Sequence, residues 1–162
     1  MAESNPERLT SRTSAGLSKT GEREELFFPE PGMCFGCSTA NPAGLHLRFF
    51  RDGDGVLCDA TIPPTYQGAL GVVHGGVQAV LLDEIGCAAV FFTTGSYVVT
   101  GELTVRYRRP CPVDEPLRVR AVVIADEGRY VTVRAEIRTE AAADVLTSAE
   151  GKFYRDLRRN EP

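Results

Sequence analysis

The sequence lacks the features of several protein classes. Its formal net charge is −4, so it has no excess of the basic residues that nucleic-acid-binding surfaces carry. No apolar run is long enough to cross a bilayer, and the polar N-terminus does not resemble a signal peptide. We therefore expect no nucleic-acid partner, no membrane association and a cytoplasmic location.

The cysteines do not form a recognisable disulfide or metal pattern. There are five, an odd number at irregular spacings, which argues against a disulfide framework. Cys34 and Cys37 have the gap of half a zinc site, but no second pair follows, although Cys58, His46 or Cys111 could complete one. No βαβ pattern surrounds the pair, so a thioredoxin-like role is disfavoured. The pattern favours buried structural thiols, and we expect no metal and no cofactor.

The chain has enough apolar residues for one domain. Its 162 residues are 43% hydrophobic. A chain of this size and composition is large enough for one domain with a full core and small for two domains. Residues 1–25 are polar and are expected to be a disordered or loosely ordered extension. Residues 26–156 are predicted to form the single domain, and residues 157–162 a C-terminal tail. The many prolines and glycines of residues 26–45 predict an irregular segment laid against the body by its phenylalanines.

The stretch Gly71–Phe92 organises the rest of the chain. It is apolar almost everywhere except at Gln78, Asp83 and Glu84. This pattern predicts a helix of roughly 28 Å beginning at His74 and buried nearly all round.

One side of the predicted helix combines small residues with a single acid. Its members are Gly76, Ala79, Asp83, Gly86 and Cys87. A stripe of small residues allows another backbone or a ligand to come close. At the helix start, Gly75 and Gly76 leave backbone N–H groups unobstructed where the helix dipole is positive, which suits an oxyanion or a polarised carbonyl.

Six segments outside this helix have β character. They are separated by turn sequences or by the helix, and they are Leu45–Phe50, Gly55–Ile62, Tyr97–Arg108, Leu117–Ala125, Tyr130–Thr139 and Val145–Tyr154. Two strands, one long buried helix and four further strands predict an α+β fold. In this fold five or six antiparallel strands curl around the helix.

Three stretches resemble hotdog-fold thioesterases. They are GVVHGGVQAVLLDEIG at 71–86, TGELTVRYRRP at 100–110 and CFGCSTANPAGLHLRFF at 34–50. They are most similar to the PaaI-like branch, which includes 4-hydroxybenzoyl-CoA and phenylacetyl-CoA thioesterases. The resemblance implies a long helix inside a curled sheet, a homodimer with active sites at its interface, and dimers that can pair into tetramers.

The resemblance also implies residue roles. Asp83 corresponds to the catalytic carboxylate, which acts as nucleophile or as the base that activates water. The backbone N–H of Gly75 would polarise the thioester carbonyl, and Thr100 would supply a hydroxyl from the partner subunit. Many relatives carry an amide side chain where this chain has Gly68; Gln67 could stand in for it after a shift of the loop, or a water could occupy the space.

Several candidate residues admit a second interpretation. Asp83 could be a structural acid, but no Lys or Arg lies within a helical turn to pair with it. Glu84 could be the working acid instead, although it points about 100° away from the small-residue side. His74 could be a general base, but at a helix start it more commonly fixes the turn.

The remaining candidates would line the substrate site. Gly76 and Cys87 lie on the small-residue side, and a nucleophilic role for Cys87 is disfavoured without a paired base. Arg106, Arg108 and Arg109 could meet the phosphates of coenzyme A. They could equally be solvated side chains on an exposed strand face.

Together these features predict an acyl-CoA thioesterase. It would hydrolyse an acyl thioester to a carboxylic acid and a free thiol. The acyl group could instead be carried on the phosphopantetheine arm of a carrier protein. A non-catalytic hotdog module that binds acyl thioesters is the alternative from another class, and Gly68 favours it. A hotdog hydratase is disfavoured because no histidine follows Asp83.

Overall fold

The computed structural model describes residues 23–141, 144–156 and 158. Within these residues it contains one long helix, α1 (Gly75–Thr94), and one seven-stranded antiparallel sheet. The strands are β1 (Glu25–Leu26), β2 (Phe49–Asp52), β3 (Gly55–Thr61), β4 (Val98–Tyr107), β5 (Pro116–Asp126), β6 (Tyr130–Thr139) and β7 (Val145–Arg155). Their order across the sheet is β1-β2-β3-β5-β6-β7-β4. The predicted α+β class is confirmed, and β4 is an edge strand.

Helix α1 begins and ends where its local sequence dictates. The His74 side chain caps the first turn, and Gly95 ends the helix with φ 75°, a left-handed conformation that glycine adopts without a steric penalty. The N–H of Gly95 donates to the carbonyl oxygen of Phe91. The predicted helix is therefore confirmed, and it continues two residues past Phe92.

The sheet wraps around α1, which contacts all five strands from β3 to β7. By length and composition alone α1 could span a membrane, so the expectation that no run is long and apolar enough is wrong by those criteria. Leu82, Ile85 and Ala89 are nevertheless completely buried against the sheet. In this domain α1 is the core helix.

Two features of the sheet differ from the sequence prediction. Strand β2 begins at Phe49, not at Leu45. The N–H of Leu45 donates to the carbonyl oxygen of Phe35 at 2.8 Å, and that of Leu47 donates to Gly36 at 2.8 Å. Residues 45–47 therefore pair with the segment before them and not with the sheet. The seventh strand is the short β1, which pairs with β2.

Regular structure begins before residue 26, the predicted start of the domain. Residues 1–22 of the predicted extension lie outside the described residues, as do 157 and 159–162 of the predicted tail. Glu25 already belongs to β1, and the carbonyl oxygen of Glu24 accepts a hydrogen bond from Arg51 N–H at 2.9 Å. The described domain thus includes the last residues assigned to the extension.

The irregular segment before β2 is attached by one of its phenylalanines. The Phe28 ring lies 4.9 Å from that of Phe91 and 5.1 Å from that of Phe92, between ring centroids. Phe27 is 70% exposed. Phe28 therefore anchors the segment to the C-terminal end of α1.

Candidate active site

The acid on α1 and a hydroxyl on the edge strand form a hydrogen-bonded pair. The Thr100 hydroxyl donates to Asp83 Oδ1 at 2.5 Å, and Asp83 is half-buried. Among the described residues, Asp83 forms no ion pair. The expectation that the hydroxyl would come from the partner subunit is wrong for this contact. Strand β4 packs against α1 of its own chain and delivers its own Thr100.

A β-bulge orients Thr100 towards the helix. The register shifts at Gly101, so that Thr100 pairs with Phe153 while Glu102 pairs with Lys152. Without the extra residue, Thr100 and the inward-facing Leu103 would lie on opposite faces, because side chains alternate along a strand. A Cβ on Gly101 would come within 2.5 Å of the ring of the neighbouring tyrosine on β7. Glycine is therefore the residue that permits the bulge here.

Cys87 lies beside this pair. Its Sγ is 3.8 Å from Thr100 Oγ1. Burial raises the pKa of the Cys87 thiol to about 12, and the negative charge of Asp83 adds to the effect. The thiol is therefore neutral at physiological pH, which suits a pocket-lining residue better than a nucleophile.

The start of α1 presents an open backbone donor at Gly75. His74 Nδ1 accepts a hydrogen bond from the N–H of Gly76 at 3.0 Å. The Tyr107 hydroxyl donates to the carbonyl oxygen of Gly75 at 2.8 Å. Across the described part of the chain, the N–H of Gly75 has no hydrogen-bond acceptor. Of the two glycines predicted to offer donors, Gly75 has the free N–H, and His74 fixes the turn.

The loop before α1 leaves little room for a side chain at position 68. A Cβ on Gly68 would lie 3.3 Å from both Cα and Cδ2 of His74, a contact tighter than side chains usually make. Gln67 uses its Oε1 to accept the N–H of Gly71 at 3.1 Å. Gln67 thus stabilises the loop, and its role as a substitute for the amide stays a prediction.

Glu84 faces a different part of the molecule from Asp83. Its two carboxylate oxygens accept hydrogen bonds from Cys34 Sγ at 3.2 and 3.4 Å. Burial raises the pKa of Glu84, the thiol hydrogen bond opposes this, and the charge of Asp83 raises the pKa further. The geometry favours Asp83 over Glu84 as the acid paired with Thr100.

The arginines predicted to meet coenzyme A lie across the sheet from Asp83 of the same chain. Arg106 and Arg108 line an outer groove formed by residues of β4, β6 and β7. The inward residues of the same strands bury against α1. Arg108 donates to Ser148 Oγ at 3.2 Å, and Arg109 pairs with Asp144 at 2.7 Å. One chain does not bring these arginines together with Asp83.

One chain also keeps the acid and the open donor apart. Gly75 and Asp83 are eight residues apart on α1, which is about 12 Å at roughly 1.5 Å per residue. A single thioester carbonyl cannot contact both groups of the same chain.

The comparisons with known proteins relate part of this chain to one family. Residues 70–145 match the thioesterase superfamily.

Three relatives illustrate this similarity. Acyl-coenzyme A thioesterase THEM4 of Bos taurus is 27% identical over 114 residues, which are 69% of this chain and 46% of that protein. A crystal structure of a thioesterase superfamily protein is 34% identical with a TM-score of 0.64, and the match covers 70% of this chain and 56% of that one. The chain therefore spans about half the length of these two proteins.

The third relative confirms the fold. The PaaI protein of E. coli, from the phenylacetic acid degradation operon, is 20% identical with a TM-score of 0.62. The match covers 68% of this chain and 80% of PaaI. Both the predicted hotdog fold and the resemblance to PaaI are confirmed.

The structure assigns contacts near the candidate site to three residues that the sequence analysis did not single out. Tyr107 anchors the helix start to β4. Gln78 donates from Nε2 to the carbonyl oxygen of Val73 at 2.7 Å and accepts from the Thr147 hydroxyl at 2.5 Å. Gln78 and Thr147 are both buried, so this network holds the approach to α1 in place. The polar Gln78 within an apolar helix was the available signal for it; for Thr147 there was none.

Proposed function

We propose that the protein is an acyl-CoA thioesterase that converts an acyl thioester and water into a carboxylic acid and a free thiol. The observation that carries the proposal is the Asp83–Thr100 hydrogen bond at the edge strand, with no cation neutralising the acid among the described residues. A carboxylate held in this way can accept a proton from water or attack a carbonyl carbon. The acyl-coenzyme A thioesterase activity named for the bovine relative supports the same substrate class.

In the proposed mechanism Asp83 acts as general base. The Thr100 hydroxyl donates to Oδ1, which leaves Oδ2 to take a proton from a water molecule. The water oxygen attacks the thioester carbonyl carbon, and the carbonyl oxygen gains negative charge. The N–H of Gly75 stabilises this charge, the carbon–sulfur bond breaks, and the thiolate leaves and takes up a proton.

A nucleophilic role for Asp83 is the other form of this mechanism. The carboxylate would then form a mixed anhydride with the acyl group, which water hydrolyses. A single turnover in ¹⁸O-water distinguishes the two. Direct attack by water places the label in the acid product, whereas an anhydride opened at the Asp83 carbonyl places it first in the enzyme.

The reacting groups are proposed to meet across a homodimer. Because Gly75 and Asp83 of one chain are about 12 Å apart along the helix, Gly75 of a second chain would face Asp83 and Thr100. Within the described residues, strand β4 pairs on one side only, with β7, and so offers free backbone groups for joining two sheets edge to edge. Such dimers could pair further into tetramers. Coenzyme A could then contact Arg106 and Arg108 of either chain.

The test is hydrolysis of a panel of acyl-CoAs, including benzoyl, phenylacetyl and medium-chain species, followed by thiol release. Asp83→Asn should lower kcat by about 10²- to 10⁴-fold, the usual range for general acid–base catalysis. Glu102→Gln, a matched change of acid to amide on the outer face of β4, should leave kcat unchanged. Full activity of Asp83→Asn, or no turnover of any substrate including an acyl-carrier protein, would refute the proposal.

A non-catalytic module that binds acyl thioesters is the second candidate. Gly68 and the loop-bound Gln67 favour it, because neither presents a free amide oxygen at the start of α1. Calorimetric titration with acyl-CoA distinguishes the two candidates. Tight binding without thiol release selects the binding module, and binding with release selects the enzyme.

A further inference from the structure

The loop Cys34–Cys37, which we call the CFGC loop, places two thiols against a carboxylate of α1. The Sγ atoms of Cys34 and Cys37 and a carboxylate oxygen of Glu84 all lie within 4.8 Å of one another. Both cysteines are free thiols. Of all the His, Cys, Asp and Glu side chains in the described residues, these are the only three that converge in this way. Neither Cys58, Cys111 nor His46, which the sequence offered to complete a site, joins them.

The convergence is built into the backbone of the CFGC loop. A Cβ on Gly36 would lie 2.2 Å from Glu84 Cδ, so only glycine allows the carboxylate to reach the thiols. The N–H of Ser38 donates to the carbonyl oxygen of Cys34 at 3.2 Å, which closes a turn around the pair. The N–H of Leu47 donates to the carbonyl oxygen of Gly36 at 2.8 Å. The loop is thus held from both sides in the position where its thiols face α1.

The charges at this position lack a partner among the described residues. Glu84 forms no ion pair with Lys or Arg there, and the Cys34 thiol donates to both of its carboxylate oxygens. Asp83 directly precedes Glu84 in the helix, so a second acidic side chain lies nearby. Partly buried carboxylates without a cation are costly, whereas thiolates and carboxylates are ligands that a divalent cation accepts.

We propose that the CFGC loop and α1 bind one zinc ion through Cys34, Cys37 and Glu84, with water as the fourth ligand. Tetrahedral zinc with bonds of about 2.3 Å to sulfur and about 2.1 Å to oxygen separates its ligand atoms by about 3.6–3.8 Å, which the observed cluster accommodates. Thiolate ligands favour zinc over magnesium or calcium. Binding replaces the two thiol protons, which are released to solvent.

The ion would have a positioning role. It would tie the irregular segment before β2 to α1 at the residue next to Asp83, without contacting the substrate. The proposal differs from the sequence-based expectation that the protein holds no metal. It does not depend on the proposed thioesterase activity, because its readout is the metal itself.

The experiment measures metal in the tag-free full chain. The protein is expressed with zinc in the medium, purified with a non-thiol reductant and without chelator, and analysed by elemental mass spectrometry. We expect about one zinc per chain. The zinc-depleted protein titrated with Co²⁺ should develop thiolate-to-cobalt charge-transfer absorption of two-thiolate intensity.

Variants test the assigned ligands. Cys34→Ser should weaken Co²⁺ binding by more than the roughly 10- to 100-fold that loss of an outer-shell partner costs, and Glu84→Gln should weaken it while keeping the thiolate absorption. Cys111→Ala, which removes a buried thiol outside the cluster, should bind as the unsubstituted protein does. If Cys34→Ser does not fold, the cobalt spectrum of the unsubstituted protein decides alone.

Three results would overturn the proposal. The first is a folded, reduced protein that retains no zinc and gives no cobalt–thiolate absorption. The second is equal cobalt affinity in a folded Cys34→Ser variant. The third is a metal-free protein isolated with a Cys34–Cys37 disulfide in spite of the reductant.

Discussion

The hydroxyl of Thr100 orients the candidate-site carboxylate on α1. It donates a hydrogen bond to Oδ1 of Asp83 at 2.5 Å. A hydrogen bond to a charged group is typically worth about 1.5–3 kcal/mol. The loss of this donor should therefore lower the rate of the chemical step.

Thr100→Val tests this orienting role with almost no change of side-chain shape. We expect kcat for acyl-CoA hydrolysis to fall about 10- to 150-fold, the equivalent of about 1.5–3 kcal/mol, with a smaller change in KM. The control is Thr104→Val, the same substitution on the outer face of the same strand. Equal kcat values for the two variants would show that the hydroxyl does not assist Asp83.

At the scale of the element, α1 is placed by close packing at a glycine. A Cβ on Gly86 would lie 2.3 Å from Cζ of the Phe153 ring, which extends from β7. Gly86 is buried in the middle of the helix, where glycine ordinarily weakens a helix by about 0.5–1 kcal/mol relative to alanine. Glycine at position 86 allows the helix and the sheet to approach this closely.

Gly86→Ala should therefore destabilise the protein in spite of the better helix propensity of alanine. We expect the free energy of unfolding in urea to fall by about 1–3 kcal/mol, the usual cost of overpacking. Phe153→Leu should relieve part of this loss, so the double variant should be more stable than the sum of the single changes predicts. An increase in stability for Gly86→Ala alone would mean that the sheet can move away at no cost.

Sequence patterns predicted the elements better than their contacts. The apolar run of α1 and the period-two alternation of Leu103 and Val105 are local properties, and both are confirmed. The bulge at Gly101 was not predicted, because a bulge depends on the partner strand that the extra residue faces. The prediction that the strand begins at residue 45 was wrong, because the N–H groups of Leu45 and Leu47 donate to carbonyl oxygens of the CFGC loop and not to the sheet.

At the scale of the whole molecule, the exposed edge of the sheet is the feature that a second chain would cover. Strand β4 carries Val99, which is 51% exposed, and Tyr107, which is 53% exposed. It also carries Thr100, so covering this edge would bring a second chain to the candidate site. The activity and the association of chains are therefore expected to be lost together.

Val99→Asp should break this association, because a charge at the edge of a joined sheet is costly to bury. We expect a shift from dimer to monomer in sedimentation velocity and a parallel loss of thioester hydrolysis. Ile124→Asp is the matched control, since Ile124 is 40% exposed on β5, away from that edge. An active Val99→Asp monomer would refute an interface active site.

Local patterns were enough to predict the helix, most strand positions and the acid at position 83, because each depends on periodicity and on the chemistry of single residue types. Which groups meet depends on the three-dimensional arrangement of these elements. It paired Asp83 with Thr100 of the same chain, turned Glu84 towards Cys34, and moved Arg106 and Arg108 to the far side of the sheet. These contacts join residues far apart in the chain, and their geometry depends on strand register, a bulge and close approach at glycines. No local pattern encodes those features.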